Sequence, residues 1–270
     1  MKALSLYCGA GGIDEGLKQV GVKTICAIDS WSDACRTFEL NHPDTQMICG
    51  KVIDCLDILP EADIIVGGPP CPEFSNANTS RTYDPTEVNL FWQIVDKVKP
   101  KFWLMENVIN VIKVCKREPN YVLDCSYYGV PQSRQRRFFT NIPKPLPQKQ
   151  IGLDSIIKID GFTSNSGFKK CNQYLISRKS NEPCKTLQIA STLRVTDKPV
   201  YSTKYPNLPQ DYKVTHIFSN DELKLIQGFP KDYKFYGNKQ SVKAQICNAV
   251  PPPVIKSISQ QIFPLEVLVQ

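Results

Sequence analysis

Short apolar runs alternate with amphipathic stretches along the first half of the chain. Apolar runs predict buried strands, whereas apolar positions three and four residues apart predict helices. Helices are predicted from the glycines at 11 and 12 through Val20, and at Ser32–Leu40 and Asn89–Val98. The predicted strands are Ala3–Tyr7, Thr24–Asp29, Gln46–Cys49, Ile64–Val66, Phe102–Met105, Tyr121–Cys125 and Arg137–Thr140. This alternation indicates an α/β protein with a doubly wound, mostly parallel sheet.

Two features interrupt this pattern. Only fourteen residues, Asn107–Asn120, follow the strand at Phe102–Met105, so any helix there is short. From Pro143 onward prolines predict a linker, and residues 148–219 are rich in Ser, Thr, Asn, Lys and turn signals. We predict a small, loop-rich, β-rich region there. Helical spacing returns at Asn220–Gln227 and at Val254–Ile262.

The composition narrows the class of protein. Of 270 residues, 41% are hydrophobic and 22% are charged, which excludes wholesale disorder. No apolar run approaches the ~20 residues of a membrane helix, and the N-terminus has no secretory apolar region. The net charge of +7 suits a polyanionic partner.

Cysteine and histidine usage limits the chemistry. There are eleven cysteines without a C-x-x-C pair, and no export signal, so we expect neither a disulfide framework nor structural zinc. Only two histidines are present, which disfavours a Ser-His-Asp triad or a multi-histidine metal site. The nucleophile and bases of an enzyme would therefore come from Cys, Asp, Glu, Lys or Arg.

A glycine-rich segment, Cys8-Gly9-Ala10-Gly11-Gly12, links the first predicted strand to the first predicted helix. Asp29 ends the next strand, where a carboxylate can bind ribose hydroxyls. The pattern favours an adenosine-containing cofactor, either a nicotinamide dinucleotide or S-adenosylmethionine. The dinucleotide pattern would need a third glycine where the chain has Asp14. A tight turn that serves packing alone is the remaining interpretation.

A second segment, Gly67-Gly68-Pro69-Pro70-Cys71, stands at the end of the fourth predicted strand. Doubly wound sheets carry their sites at such strand ends. Two prolines restrict the backbone just before the thiol, and a polar stretch follows. A rigidly presented cysteine beside a polar loop is typical of a nucleophile, although most cysteines are small buried side chains.

Two further segments carry charge. Met105-Glu106-Asn107-Val108 places a carboxylate after an apolar strand, where a glutamate can also cap a helix. Gln132-Ser133-Arg134-Gln135-Arg136-Arg137 has three arginines, and an extended backbone would put Arg134 and Arg136 on one face. A cluster of arginines is also typical of a solvated patch, so neither segment identifies a site alone.

Together with Asn220–Pro230, which contains Gln-Gly-Phe-Pro, and Gln245–Pro252, these segments resemble the cytosine-5 DNA methyltransferase family in residues, order and partial spacing. The resemblance runs from Leu4 to about Ile262 and lapses from the 140s to the 210s. It implies an S-adenosylmethionine-dependent DNA (cytosine-5-)-methyltransferase, with a role in restriction-modification. Its fold would be a seven-stranded Rossmann-like methyltransferase sheet with a small β-rich target-recognition domain.

The resemblance also implies catalytic roles. Cys71 would attack C6 of a cytosine flipped out of the duplex, which makes C5 nucleophilic towards the methyl group. Glu106 would hydrogen-bond N3 and the amino group, Arg136 would hold the O2 side and Arg134 would support the site. Loss of the C5 proton would then expel Cys71.

The cofactor pocket is implied in the same way. Tyr7, Gly9 and Gly11 would bind the methionine end, Asp29 the ribose and Ser30 the adenine. The remaining implied cofactor-binding residues are Asp54, Pro69, Leu90, Asn248 and Val250.

The implied pocket requires the C-terminal segment to return to the first domain. The predicted catalytic domain is residues 1–147 plus 240–270, and residues 148–239 form the predicted target-recognition domain. Residues 148–219 hold eleven basic and five acidic side chains, which suits contact with phosphates. We expect a monomer that binds double-stranded DNA but no metal or membrane, in bacterial, phage or viral host cytosol, or in a eukaryotic nucleus.

The chain departs from the family pattern at four places. Pro72 follows the cysteine where glutamine is usual, Lys51 replaces an aspartate, Cys247 replaces a glycine, and the helix after Glu106 is truncated. These departures motivate an alternative, a catalytically weak relative that binds DNA or S-adenosylmethionine without turnover. A third hypothesis keeps the chemistry but makes RNA (tRNA) the substrate.

Overall fold

The computed structural model describes residues 1–70, 84–156, 168–171, 174–178, 190–191 and 212–263. Strands and helices alternate among the described residues from Lys2 to Asn107, as the apolar pattern predicts, and three strands follow without an α-helix between them. In chain order the strands and α-helices are β1 (Lys2–Leu6), α1 (Gly12–Lys18), β2 (Lys23–Asp29), α2 (Ser32–Asn41), β3 (Gln46–Cys49), β4 (Ile64–Gly67), α3 (Thr86–Val98), β5 (Phe102–Asn107), β6 (Asn120–Asp124), β7 (Gln132–Ser133) and β8 (Gln135–Thr140).

Seven of these strands form one sheet with the order β3-β2-β1-β4-β5-β8-β6. The first five strands of that order run parallel, and β8 is antiparallel to both β5 and β6. The predicted doubly wound, mostly parallel α/β sheet is therefore confirmed. From β1 the chain builds the sheet outward through β2 and β3 on one side, and then crosses to β4 and β5 on the other side. The carboxyl ends of β1 and β4 therefore lie at a topological switch point.

Apolar side chains cover both faces of the sheet, as parallel sheets require. On one face Leu4 and Ile65 pack with Phe91 of α3. On the other face Ala3 and Ile64 pack with α1 and with the C-terminal helix. Adjacent residues of β1 and β4 thus point to opposite layers.

The short connection after β5 is confirmed. A single 3-10 helix, Ile109–Lys113, is the only helix between β5 and β6. It is too short to form the crossover connection that a parallel strand next to β5 would need. The neighbouring place is taken instead by β8, which pairs antiparallel with β5.

The second half contributes β9 (Phe168–Cys171), β10 (Tyr174–Arg178), β11 (Ala190–Ser191), β12 (Tyr212–Ile217), α4 (Asn220–Ile226), α5 (Lys239–Asn248) and α6 (Pro252–Ser259). A three-stranded antiparallel sheet, β12-β10-β9, lies in the region predicted to be β-rich, and β11 pairs with β7. Helices α4 and α6 confirm two predicted helices. Within the described ranges, no helix combines the length and apolar character needed to cross a membrane.

Candidate functional site

The glycine-rich segment forms a tight loop between β1 and α1. Tyr7, Gly9 and Gly11 have φ angles of 54°, 54° and 82°, the left-handed region that glycine adopts at little cost. The amide of Gly9 donates to Oδ2 of Asp29 at 2.8 Å, and the amide of Trp31 donates to Oδ1 at 2.8 Å. Burial raises the pKa of the Asp29 carboxyl, and these amides oppose that effect. Asp29 therefore lies beside the glycine-rich loop.

Two glycines whose amides bond Asp29 border open space. A Cβ added at Gly9 or at Gly50 would meet no atom within 4 Å. Gly50 also touches the strand end, because its amide donates to the carbonyl of Asp29 at 2.9 Å. The end of β2 thus lies between two glycine backbones with room for a ligand, which fits an adenosine group held at Asp29.

Tyr7 connects this loop to α3. Its hydroxyl donates to Oε2 of Glu87 at 2.7 Å, and burial raises its pKa above the ordinary value. Leu90, one turn further along α3, is buried in the same layer. The predicted cofactor residues Tyr7 and Leu90 therefore belong to adjoining elements.

The turn after β4 approaches the first strand closely. A Cβ at Gly67 would stand 2.5 Å from the carbonyl oxygen of Leu6, so only glycine fits. Asn107, at the end of β5, donates from Nδ2 to the carbonyl of Pro69 at 3.2 Å and accepts from the amide of Val108 at 2.8 Å. The two-proline segment is thereby fixed against β5. Cys71 and Pro72 lie outside the described residues.

Glu106 and Arg136 form an ion pair at this edge of the sheet. Arg136 Nε lies 2.9 Å from Glu106 Oε1, and both side chains are largely buried. Oε2 of Glu106 is 3.6 Å from the position of a Cβ at Gly68. Burial raises the pKa of the Glu106 carboxyl, against the opposing charges of Arg136 and Arg134. The pair therefore presents a carboxyl with an increased tendency to hold a proton, beside the segment that leads to Cys71.

Arg134 has a different environment from Arg136. It is 2% exposed, and it donates to the carbonyls of Cys247 and Ala249 at 3.0 and 3.4 Å. Burial and the charge of Arg136 lower its pKa to about 10. Arg134 thus joins the strands to the end of α5, which is a supporting position.

The other predicted residues lie around these groups. Ser30 and Asn248 are exposed at the ends of β2 and α5, whereas Val250 is buried. Asp54 is exposed in a 3-10 helix, Val52–Cys55, that follows β3. In the described part of the chain, no three His, Cys, Asp or Glu side chains cluster as metal ligands would.

Two buried polar residues near the site were not assigned by the sequence reasoning. Gln227 donates to the carbonyl of Ala249 and accepts from Gln132 Nε2 at 2.8 Å. Tyr233 donates to the carbonyl of Ala10 at 2.6 Å. The Gln-Gly-Phe-Pro motif indicated that Gln227 mattered, but nothing in its spacing showed where its amide would bond.

Known proteins of one family resemble this chain over most of its length. The family model for C-5 cytosine-specific DNA methylases matches residues 1–165 and 146–264. Type II methyltransferase M.HgiDI of Herpetosiphon aurantiacus is 28% identical over 287 aligned residues, which cover 93% of this chain and 90% of the relative. Type II methyltransferase M.HindV of Haemophilus influenzae is 26% identical, with 98% and 97% covered.

Solved structures show the same fold. A putative DNA modification methyltransferase encoded within an Escherichia coli prophage superimposes with a TM-score of 0.68 at 18% identity, covering 97% of this chain and 98% of that one. A mutant of DNMT2 from Spodoptera frugiperda gives a TM-score of 0.62 at 20% identity, covering 97% and 99%. Since the family model spans nearly all of the sequence, the chain belongs to the C-5 cytosine-specific DNA methylase family.

Proposed function

We propose that this protein transfers a methyl group from S-adenosylmethionine to C5 of a cytosine flipped out of double-stranded DNA. The observation that carries the proposal is the placement of the Glu106–Arg136 pair beside the Gly67–Pro70 turn. That turn leads directly to Cys71, and it adjoins the strand end that carries the Gly9 loop. The acid, the cofactor loop and the turn that precedes Cys71 in the sequence therefore lie at one edge of the sheet.

The open space at Gly9 and Gly50 fits the proposed cofactor. S-adenosylmethionine carries a methyl group on a positively charged sulfur, and a carbon nucleophile can accept that methyl group. Asp29, whose oxygens are already oriented by two amides, would accept from the ribose hydroxyls. The full proposed pocket is Tyr7, Gly9, Gly11, Asp29, Ser30, Asp54, Pro69, Leu90, Asn248 and Val250.

The chain's own groups carry the proposed chemistry. The Cys71 thiolate forms a bond to C6 while Glu106 gives or shares a proton at N3, so that the charge added to the ring is neutralised. S-adenosylmethionine, held beside the Gly9 loop and Asp29, would supply the methyl group to C5, with its neutral thioether as the leaving group. Loss of the C5 proton to solvent and breakage of the Cys71–C6 bond would release the Cys71 thiolate, and return of the N3 proton to Glu106 would leave 5-methylcytosine. Arg136 orients Glu106, and Arg134 holds the strand that carries Arg136.

We further propose that residues 1–147 and 240–270 form the catalytic domain and residues 148–239 the target-recognition domain. The three-stranded sheet within residues 168–217 supports this division. The contact of α1 with α6 also supports it, because a Cβ at Gly16 would stand 2.6 Å from Ile255 Cβ. The excess of basic residues in the recognition region supports duplex DNA as its partner.

A methylation assay tests the proposed function. The purified protein is incubated with S-adenosylmethionine labelled on its methyl group and with either mixed-sequence duplex DNA or tRNA. We expect label in the DNA, at 5-methylcytosine after digestion to nucleosides. Label in tRNA alone would show that the substrate is RNA. Absence of label from both would indicate a relative that binds DNA or S-adenosylmethionine without catalysing methyl transfer.

A further inference from the structure

Tyr233 contacts the glycine-rich loop at Ala10 and Gly11. Its side chain is buried, and its hydroxyl donates to the carbonyl oxygen of Ala10 at 2.6 Å. A Cβ added at Gly11 would stand 2.7 Å from that hydroxyl and 3.0 Å from His42 Nε2. The loop is therefore packed on one side by a residue that lies far along the chain, just after the Gln-Gly-Phe-Pro motif.

The segment that carries Tyr233 is fixed to α2 by a row of polar side chains. Asp33, Thr37 and Asn41 are four residues apart and so share one face of the helix. Asp33 accepts from Ser241 Oγ at 2.6 Å, and Asn41 bonds both the amide and the carbonyl of Lys234, at 2.9 and 2.8 Å.

Thr37, in the middle of that row, accepts from the amide of Tyr236 at 2.9 Å and donates to Gln245 Oε1 at 2.6 Å. These bonds are specific in direction, unlike apolar packing. They fix the segment's position along α2, and with it the position of the Tyr233 hydroxyl.

Aromatic packing holds the ring of Tyr233 independently of its hydroxyl. Its centroid lies 4.7 Å from that of Phe229 and 5.4 Å from that of Phe235. Removing the hydroxyl alone would therefore keep the ring in place while releasing the Ala10 carbonyl.

We propose that Tyr233 is a positioning residue for cofactor binding. Its hydroxyl holds the Ala10 carbonyl and so fixes the loop from Gly9 to Gly11. This inference rests on the proposed function, in which that loop binds S-adenosylmethionine. It assigns to the segment after the Gln-Gly-Phe-Pro motif a role in cofactor affinity, although the segment falls within the predicted recognition region.

The test compares Tyr233→Phe with Tyr128→Phe. Tyr128 is a matched control, since its buried hydroxyl also donates to a carbonyl, that of Pro145 at 3.2 Å. We expect Tyr233→Phe to raise the Kd and KM for S-adenosylmethionine roughly three- to tenfold, as one lost hydrogen bond predicts. The kcat at saturating cofactor and DNA should stay within about twofold, and Tyr128→Phe should bind the cofactor like the wild type.

Unchanged cofactor affinity in Tyr233→Phe, or an equal loss in both variants, would overturn the proposal. A second measurement does not depend on cofactor binding. It therefore tests the role of Tyr233 even if the wild type binds no cofactor, a finding that would itself contradict the proposed function. Amide hydrogen exchange of residues 9–12 in the ligand-free protein should quicken in Tyr233→Phe and not in Tyr128→Phe. Unchanged exchange there would equally overturn the role of Tyr233.

Discussion

Arg134 and Gln227 donate to the same acceptor, the main-chain carbonyl of Ala249. Three segments that are far apart in the sequence thus meet at one buried oxygen. Gln227 is fully buried, and it extends the network to Gln132. Polar bonds in a dry interior fix geometry more strictly than apolar contacts do, because each donor needs its acceptor. The shared carbonyl therefore sets the position of the arginine strand relative to the C-terminal segment.

The bond between Gln227 and Gln132 predicts energetic coupling. Changing either residue to leucine should lower the free energy of unfolding by about 1–3 kcal/mol, since a buried polar bond is lost. The double variant should lose about 1 kcal/mol less than the sum, because the bond can be lost only once. Urea unfolding of the four proteins measures this difference, and strictly additive effects would show that the 2.8 Å contact carries no coupling.

Glu106 is expected to control the rate of methyl transfer. Glu106→Gln keeps the size of the side chain but removes the proton that the carboxyl would share with N3. Turnover should fall about a hundredfold, corresponding to ~3 kcal/mol of transition-state stabilisation. The affinity for S-adenosylmethionine should remain that of the wild type, because Glu106 lies outside the Gly9 loop.

The surface pair of Glu39 with Arg36, 3.1 Å apart on α2, supplies the control. Glu39→Gln also removes a glutamate that is paired with an arginine, but it should leave turnover unchanged. Full turnover in Glu106→Gln would show that this carboxyl has no catalytic role.

Asp14 predicts a pH dependence of stability. It is buried, accepts from Ser5 and Thr24, and has its pKa raised by burial to about 6. The folded protein therefore keeps this proton to a higher pH than the unfolded chain, so the contribution to stability is present at low pH and is lost as the pH rises through about 6.

The variant Asp14→Asn cannot undergo this loss. The difference in unfolding free energy between variant and wild type should shift in favour of the variant by roughly 2 kcal/mol between pH 4 and pH 7. Using the difference at each pH cancels the opposite effect of His42, whose pKa is lowered to about 4 by burial. A difference that does not vary with pH would contradict the assignment.

The sequence predicted the sheet well because its strands are buried on both faces. Runs such as Ala3–Tyr7 and Thr24–Asp29 correspond to β1 and β2 within a residue or two. Apolar periodicity shows which residues of a strand are buried, however, and does not show which strands pair with it. The insertion of β8 between β5 and β6 depends on pairing across the sheet, which no local pattern encodes.

Polar burial explains what the sequence reasoning missed. Helix α5 was not predicted, because Gln245 faces the interior and bonds Thr37 instead of packing as an apolar residue would. The same holds at the site, where Tyr233 reaches Ala10 through a contact with no signal in residue spacing. The motifs place Asp29 and Glu106 at or beside the ends of β2 and β5, whereas their bonding partners emerge only from the folded chain.

Covalent trapping shows whether Cys71 forms a bond to the cytosine during methyl transfer. Duplex DNA with 5-fluorocytosine at every cytosine is incubated with S-adenosylmethionine and the wild-type protein, and the product is denatured and digested for mass spectrometry. Fluorine cannot leave C5 as a proton does, so we expect a stable adduct in which Cys71 is bonded to C6 of a methylated ring. Cys71→Ser should form none. Methylation of ordinary DNA without any adduct on the fluorinated DNA, or an adduct on another cysteine, would contradict the account.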